Sequence, residues 1–437
     1  MFTELTLTNF KIWKEVRLPL KPVTLLLGTN SSGKSSLIQS LLLIRQTVKG
    51  EDPNIDLNLG NPDSHDSVTL GQFSDVLCKH GSSNLVGIEF RWTPTGDLAD
   101  SVIFSSRYRK GEAGSAELDY LRLGPPGAGY LVQRRKPGIY TLVLAEETKS
   151  RGQSADFRPE RSFAFSQAAL ERLGPEESKK LKRIGSQLLA ELNRMVYLGP
   201  VRRLAQRDYL WNGRIPTSIG DDGSKAVDAL IASFMAAENA RKRKQAPPAE
   251  ARLIHETQIW LQKMNLADQL HVRQIGNSVR YELLITRNGE TSNLKDVGVG
   301  VSQVLPVIVA ALHAGPGQIV IVEEPESHLH PLAQSLLAEL FAEVTQQRNV
   351  QIIAETHSEH LFRRMQTLIA RKGLDSDDCG MYFVERQEMS AELRVLKTNE
   401  FGAVTNWPDK FFGDALGETR EQARLMFERQ KQERSQS

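Results

Sequence analysis

The sequence predicts an α/β protein, and three observations carry that prediction. First, Gly28-Thr-Asn-Ser-Ser-Gly33-Lys34-Ser35 follows a short apolar run, Val23–Leu27, and opens a helical pattern from Lys34 to about Val48. Second, residues 297–385 alternate helical patterns with buried-type runs at Gln318–Val322, Val350–Ala354 and Gly380–Val384, the order of parallel β/α units. Third, alternating runs at Leu85–Trp92, Ser101–Ser105, Leu118–Leu123, Tyr130–Gln133 and Tyr140–Ala145 are separated by Gly/Pro clusters such as Gly124–Gly129. They predict an antiparallel β lobe joined by hairpins.

The other elements follow in order. Leu5 and Leu7 alternate with polar residues, a half-buried first strand. Residues 51–80 carry Pro53, Gly60 and Pro62 and read as loop. Ser166 to Trp260 reads as mainly helical, broken at Gly174-Pro175, Gly199-Pro200 and Ile215–Gly223, with Arg241–Pro248 as the best linker. Two more alternating runs follow, Leu270–Ile275 and Arg280–Thr286. From about Pro408 the chain reads as a charged helix. The expected division is 1–90 and 291–400 as two parts of one head, 91–290 as an insertion (β lobe, then helical and basic), and 401–437 as a tail.

Composition excludes several classes. Across 437 residues, 40% are hydrophobic and 25% charged, which is ordinary for a globular chain and argues against disorder. The longest apolar stretch, near Val304–Leu312, is interrupted by Pro306 and is far too short to span a bilayer. No signal-peptide pattern opens the sequence, and Cys78 and Cys379 are its only cysteines, so a cytoplasmic location is expected. Net charge is +2, but 26 Lys/Arg against 17 Asp/Glu over 101–250 put that region at +9 and the rest at −7. A polyanion would favour the middle.

Gly28–Ser35 fits the phosphate-binding pattern G-x-x-x-x-G-K-[ST]. Glycines let backbone N–H groups turn around phosphates, Lys34 reaches the β- and γ-phosphates, and the Ser35 hydroxyl ligates Mg²⁺. Asn30, Ser31, Ser32, Gly33 and Ser36 complete that cradle. Gln318–Val322 ends in Glu323-Glu324. Glu323 is expected to hold Mg²⁺, where such sites usually carry Asp, and Glu324 to polarise the attacking water. His357, just past Val350–Ala354, stands where a polar group could reach the γ-phosphate. His328, His330, His357 and His360 cluster in the sequence, but without the H-E-x-x-H spacing of a zinc helix. Asp296-Val-Gly298-Val-Gly300-Val-Ser302-Gln303 is either an anion-binding helix start or a plain loop-to-helix turn.

Together these pieces resemble the ABC-type ATPases of the SMC, RecF and OLD group. They are most similar to a bacterial AAA-labelled family with an uncharacterised C-terminal tail domain, found among OLD-like and Septu PtuA-like antiphage ATPases. The resemblance covers residues 1–50 and 290–435. It implies an ABC-ATPase-like P-loop head with an antiparallel β lobe and a mainly helical insertion, closing head to head with ATP between two copies. It places Gly300, Ser302 and Gln303 where a signature motif would face the partner's P-loop, although no LSGGQ is present. It makes His328–His330 a D-loop and His357 the switch histidine, and it lays Asn9, Phe10 and Lys11 against the nucleotide. Gln72 is either a glutamine on Mg²⁺ or a surface loop residue.

Basic clusters occur at Arg107–Lys110, Arg134–Lys136, Arg202-Arg203 and Arg241–Lys244, interleaved with Tyr108, Tyr209 and Trp211. They form either a solvated face or a contact for double-stranded DNA. Arg202, Arg203 and Arg207 equally suit the nucleotide site, since similar families carry a YLGP-x-R segment near the ATP head. The SMC type's long coiled coil is absent. About 80 residues follow His357, too few for the Toprim domain of OLD nucleases, and Asp375-Ser-Asp377 lacks a matching Glu. Intrinsic nuclease activity is therefore not expected. Two functions stay open. One is a slow ATP-hydrolysing switch that dimerises on ATP and controls a separate effector, such as a nuclease, in antiphage defence. The other is a RecF-type DNA-repair ATPase acting without a dedicated effector.

Overall fold

The computed structural model describes residues 1–61, 63, 66–94, 101–144, 153–155, 157–160, 163–406 and 424–426. The expected charged helix from Pro408 lies almost wholly outside the described residues. The chain opens with β1 (Phe2–Phe10), β2 (Trp13–Pro19), β3 (Val23–Gly28), α1 (Lys34–Lys49) and the single turn α2 (Phe73–Val76). Strands β4 (Val86–Trp92), β5 (Val102–Lys110), β6 (Ala116–Gly124), β7 (Tyr130–Lys136), β8 (Ile139–Leu144) and β9 (Gln153–Ala155) follow. Next come α3 (Gln167–Arg172), α4 (Pro175–Arg194), β10 (Val196–Leu198), β11 (Tyr209–Leu210), α5 (Ala226–Lys242) and α6 (Leu253–Lys263). After β12 (Gln269–Gln274), β13 (Arg280–Arg287) and β14 (Glu290–Asn293) come α7 (Val299–His313), β15 (Ile319–Glu323), α8 (Pro331–Arg348), β16 (Gln351–Glu355), α9 (Glu359–Ala370), β17 (Cys379–Arg386) and β18 (Ala391–Val395).

These strands form an α/β architecture with two main sheets. One has the order β2-β1-β4-β5-β6-β7-β8-β9, and all of its pairings are antiparallel. The other has the order β10-β15-β16-β3-β17-β18, parallel except for β18 on β17. A small third sheet joins β11, β12, β13 and β14.

A parallel sheet must bury both faces, so its strands read as continuous apolar runs. In β15, Ile319 and Ile321 face one core with α1, α4 and the antiparallel sheet. Val320 and Val322 face the other core with α5 to α9. Helix α1 therefore lies between the two sheets, with Leu37, Ile38, Leu41, Leu42 and Ile44 buried. Burying one such side chain stabilises the fold by about 1.5–3 kcal/mol.

The sheets redraw the expected organisation. The β lobe is not wholly inserted: β1 and β2 belong to its sheet, and β4 crosses the expected division at residue 90. Within the expected helical stretch, Val196–Leu198 pairs in parallel with Val320–Val322 and becomes the edge strand of the parallel sheet. Three apolar residues between a helix and Gly-Pro carry too little periodicity to reveal a strand, so only the pairing with β15 creates it.

Candidate nucleotide site

The carboxyl ends of β3, β15 and β16 meet in one row, because β16 pairs with both others. There they enclose a cavity of about 540 Å³ lined by Lys11, Ile12, residues 30–36, Gln39, Glu324, Glu355 and His357. Ligands of open α/β sheets sit at this end of the strands.

Backbone geometry explains the loop's sequence. Gly28 has φ +146°, and a Cβ there would stand 2.2 Å from the Val384 carbonyl oxygen on β17. Gly33 caps α1 with φ +113°, and a Cβ would press to 2.8 Å on Ile12. The Trp13 indole donates to the Gly33 carbonyl (3.2 Å) and to Ser36 Oγ (3.0 Å), locking the first turn of α1. Lys34 Nζ donates to the carbonyls of Gly28 (3.1 Å) and Thr29 (2.8 Å), so it curls over the loop. Burial pulls its pKa below the usual lysine value.

The charges of Glu355, Glu324 and Glu326 act on this lysine, and Glu323 stands behind Glu355. Ser35 Oγ donates to Glu355 Oε1 (3.1 Å), and Lys34 Nζ lies 3.7 Å from the same oxygen. Glu355 Oε2 is buried and accepts from no neighbouring N–H or hydroxyl, while the Glu355 and Glu323 carboxyls lie close enough to share a proton. Glu323 stands opposite Glu355 across the β15–β16 ladder and accepts from the Tyr197 hydroxyl (2.8 Å). Burial, then the charge of Glu355, pushes Glu323 up to about 7; burial also raises Glu355. Glu324 lines the cavity, accepts from Ser327 Oγ (3.0 Å), and has φ +44°. His357 lines it too, its pKa lowered by burial and by the Lys34 charge, while its backbone N–H donates to Glu326 Oε1 (2.6 Å).

The Ser35 hydroxyl and the Glu355 carboxylate, which line the cavity, and the Glu323 carboxyl, which sits beside Glu355 against Tyr197 and outside the lining, are hard oxygen donors. That set fits Mg²⁺. Glu355 was missed by sequence reasoning, although its signal was the one used for Glu323: a carboxylate ending a buried strand. Among the described residues no group of three His, Cys, Asp or Glu could hold a metal. His330 instead caps α8, accepting from the Leu332 N–H, and Ser358 caps α9.

Other expected residues stand elsewhere. Asn9 is 3% exposed and does not line the cavity. Its φ is +59°, and its amide donates to the carbonyls of Ser83 and Leu85 (2.9 Å to the latter), tying β1 to the turn before β4. Phe10 is fully buried in the core. Only Lys11 of that trio reaches the cavity, with Nζ donating to Gln39 Oε1 (2.8 Å). Gln72 is exposed, caps α2 and packs beside Gly114, away from the cavity lining. Gly300, Ser302 and Gln303 lie on the first turns of α7, outside this chain's own cavity. A Cβ on Gly300 would come 2.7 Å from the His328 carbonyl, so α7 packs directly on the loop after the acid pair.

The basic clusters are partly consumed within the chain. Arg107 stacks on Tyr120 at 4.9 Å, Arg109 pairs with Asp119 and Arg134 with Glu117. Tyr108 is fully buried, so no base can stack on it. Arg207 forms a two-pronged pair with Asp296 (2.7 and 3.0 Å). Arg202 is buried behind the acid pair.

The paired carboxyls set a pH dependence. A carboxyl whose folded pKa is raised favours the native state below its unfolded value and loses that contribution as pH rises through the folded value. The Glu323–Glu355 pair should therefore weaken the metal-free fold between about pH 4.5 and 7. Mg²⁺ competes with the same protons, so its stabilising effect should grow over that range. Thermal midpoints with and without Mg²⁺ across this window, compared with Glu323→Gln, check the expectation. A Mg²⁺ shift independent of pH contradicts it.

A search of curated proteins finds no match. Among solved structures, the chain is similar to an SMC head bound to the C-terminal winged-helix domain of ScpA (12% identity, TM-score 0.48, 91% of this chain and 98% of that one). It is also similar to an SMC head from Thermotoga maritima (12%, 0.41, 91% and 99%) and to one from Pyrococcus furiosus bound to the C-terminal domain of ScpA (13%, 0.45, 91% and 96%). No helix among the described residues is long and apolar enough to cross a membrane. A family model described as "Protein of unknown function (DUF3696)" matches residues 374–422. A second, described as "AAA domain, putative AbiEii toxin, Type IV TA system", matches residues 23–363, from the strand before the phosphate loop to α9. The chain thus belongs to this AAA-domain family of P-loop ATPases.

Proposed function

We propose that the chain binds ATP with Mg²⁺, hydrolyses it slowly, and works as a switch that closes on a second copy and controls a separate effector. The observation that carries this reading is the single cavity that unites the phosphate loop, Glu324, Glu355 and His357. Residues 30–36 cradle the phosphates with backbone N–H groups and the α1 N-terminus, and Lys34 supplies the cation. Ser35 and Glu355, with Glu323 behind them, would hold Mg²⁺, which would neutralise phosphate charge when bound. Glu324 accepts the proton of the attacking water, and His357 donates toward the γ-phosphate. The roles drawn for Asn9, Phe10 and Gln72 have no support in their positions.

The start of α7 supports a sandwich. Gly300 and Ser302 lie outside the chain's own cavity, beside Val299, which is 48% exposed. In a head-to-head pair they face the partner's phosphates. The family's description includes a Type IV toxin–antitoxin system, which favours a role beside a partner component, such as a nuclease in phage defence. Light scattering of Glu324→Gln should show a doubled mass with Mg-ATP and none without it. A monomer in both conditions sinks the sandwich, and coexpression with its neighbouring genes tests for the effector.

A further inference from the structure

We propose that Arg202 is a positioning residue that aims Glu324, an inference that rests on the hydrolysis reading above. Arg202 lies outside the phosphate loop and the acid pair, in the loop after β10, and is 4% exposed. Its Nη2 donates to the carbonyls of Glu323 (2.7 Å) and Glu324 (2.9 Å). Its Nε and Nη1 are buried without a hydrogen-bond partner. The guanidinium serves two carbonyls that water could serve, and the Glu326 and Glu324 carboxylates offset the cost of burying its charge. It is thus tied to the loop after β15 both through its backbone and through its charges.

The role follows from the backbone it holds. Glu324 has φ +44°, a conformation that non-glycine residues rarely adopt. Its N–H is fixed by donating to the Glu355 carbonyl (2.8 Å), and Arg202 fixes its carbonyl from the other side. With both flanking peptides held, the Glu324 Cα–Cβ bond has one direction; the side chain lines the cavity and accepts from Ser327 Oγ. The loop that presents Arg202 is itself pinned. Gly199 N–H donates to the Asp221 carbonyl (2.8 Å) and Arg203 N–H to the Asp222 carbonyl (2.9 Å). Tyr197, at the start of the same segment, holds the Glu323 carboxyl (2.8 Å). One segment, 197–203, thus grips both acids from behind.

Single-turnover hydrolysis and ATP affinity, measured on the full chain, test this. Misplacing a catalytic group by about 1 Å costs on the order of 100-fold in rate. Arg202→Met should lower the hydrolysis rate by about 10- to 100-fold with ATP affinity unchanged. Arg202→Lys, able to donate to at least one carbonyl, should recover part of the loss; it also carries the measurement if the Met variant does not fold. In a Glu324→Gln background, Arg202→Met should change the residual rate by less than about 2-fold, because the group it aims is already disabled. Equal losses in both backgrounds, or an unchanged rate in Arg202→Met beside a wild type whose turnover needs Glu324, overturn this inference alone. A wild type without Glu324-dependent turnover overturns the hydrolysis reading, and this inference with it.

Discussion

Replacing Glu324 by Gln is expected to lower ATP hydrolysis by about 10²- to 10⁴-fold, the range associated with a general base, while leaving ATP affinity within a few-fold. The asymmetry follows from position. Glu324 acts on Lys34 only through its charge, and its side-chain hydrogen-bond partner is Ser327 Oγ. The phosphate cradle therefore survives the substitution. The amide keeps the size and the acceptor oxygen but cannot take a proton. Its backbone contacts, the N–H to Glu355 and the carbonyl to Arg202, do not involve the side chain and persist. Glu323 cannot replace it, because its carboxyl is turned to Tyr197 and Glu355. Rapid-quench hydrolysis and equilibrium binding of ATP separate the two effects. A variant that hydrolyses within about 3-fold of wild type would move the base elsewhere, with His357 the first residue to test. A variant that also loses binding would make Glu324 part of the cradle.

The sequence exposes what is local and hides what depends on pairing. Residues 28–35 are legible because the strand, the turn glycines, the lysine and the helix start are contiguous. Glu323, Glu324 and His357 are legible because each follows directly on a buried apolar run. Glu355 shows the same pattern, yet its importance lies in Ser35 and Lys34, some 320 residues away, which meet it only because β16 is inserted beside β3. Arg202 already suits the nucleotide site by resemblance, but its target is hidden for the same reason: it is the backbone of β15's last residue and the one after it, reached because β10 joins the edge of that sheet. Asn9 misled in the other direction. The resemblance lays it against the nucleotide, whereas its positive φ and its buried amide serve the turn that leads into β4. Gln72 followed a similar course, since a glutamine in a loop can cap a short helix as readily as reach a metal. The basic middle shows the limit of counting. A surplus of +9 over 101–250 says nothing about which arginines are already stacked, paired or buried.

Lys34→Met should weaken ATP binding by about 100-fold or more and abolish detectable hydrolysis. Hydrogen bonds to charged groups contribute about 1.5–3 kcal/mol each, so losing one or two from Nζ corresponds to roughly one to four powers of ten in affinity. Those donors rest on the Gly28 and Thr29 carbonyls, which keeps the ammonium over the loop. Burial already disfavours its charge, so it is held in place ready for an anion. The substitution has a second consequence. Lys34 is the largest charge influence lowering the pKa of Glu355. Without it, Glu355 and its neighbour Glu323 keep a shared proton to higher pH, and Mg²⁺ must displace that proton to bind. The pH at which Mg²⁺ begins to stabilise the fold should therefore rise in Lys34→Met, an effect that needs no nucleotide to be observed. Lys34→Arg should not rescue binding. A planar guanidinium cannot fold into the space between two carbonyls 3.1 and 2.8 Å from a single nitrogen. Calorimetric titration with ATP and thermal midpoints in Mg²⁺ across pH measure the two consequences independently. ATP binding within about 3-fold of wild type would remove Lys34 from the phosphate contacts, and an unmoved Mg²⁺ profile would remove it from the electrostatics of the acid pair.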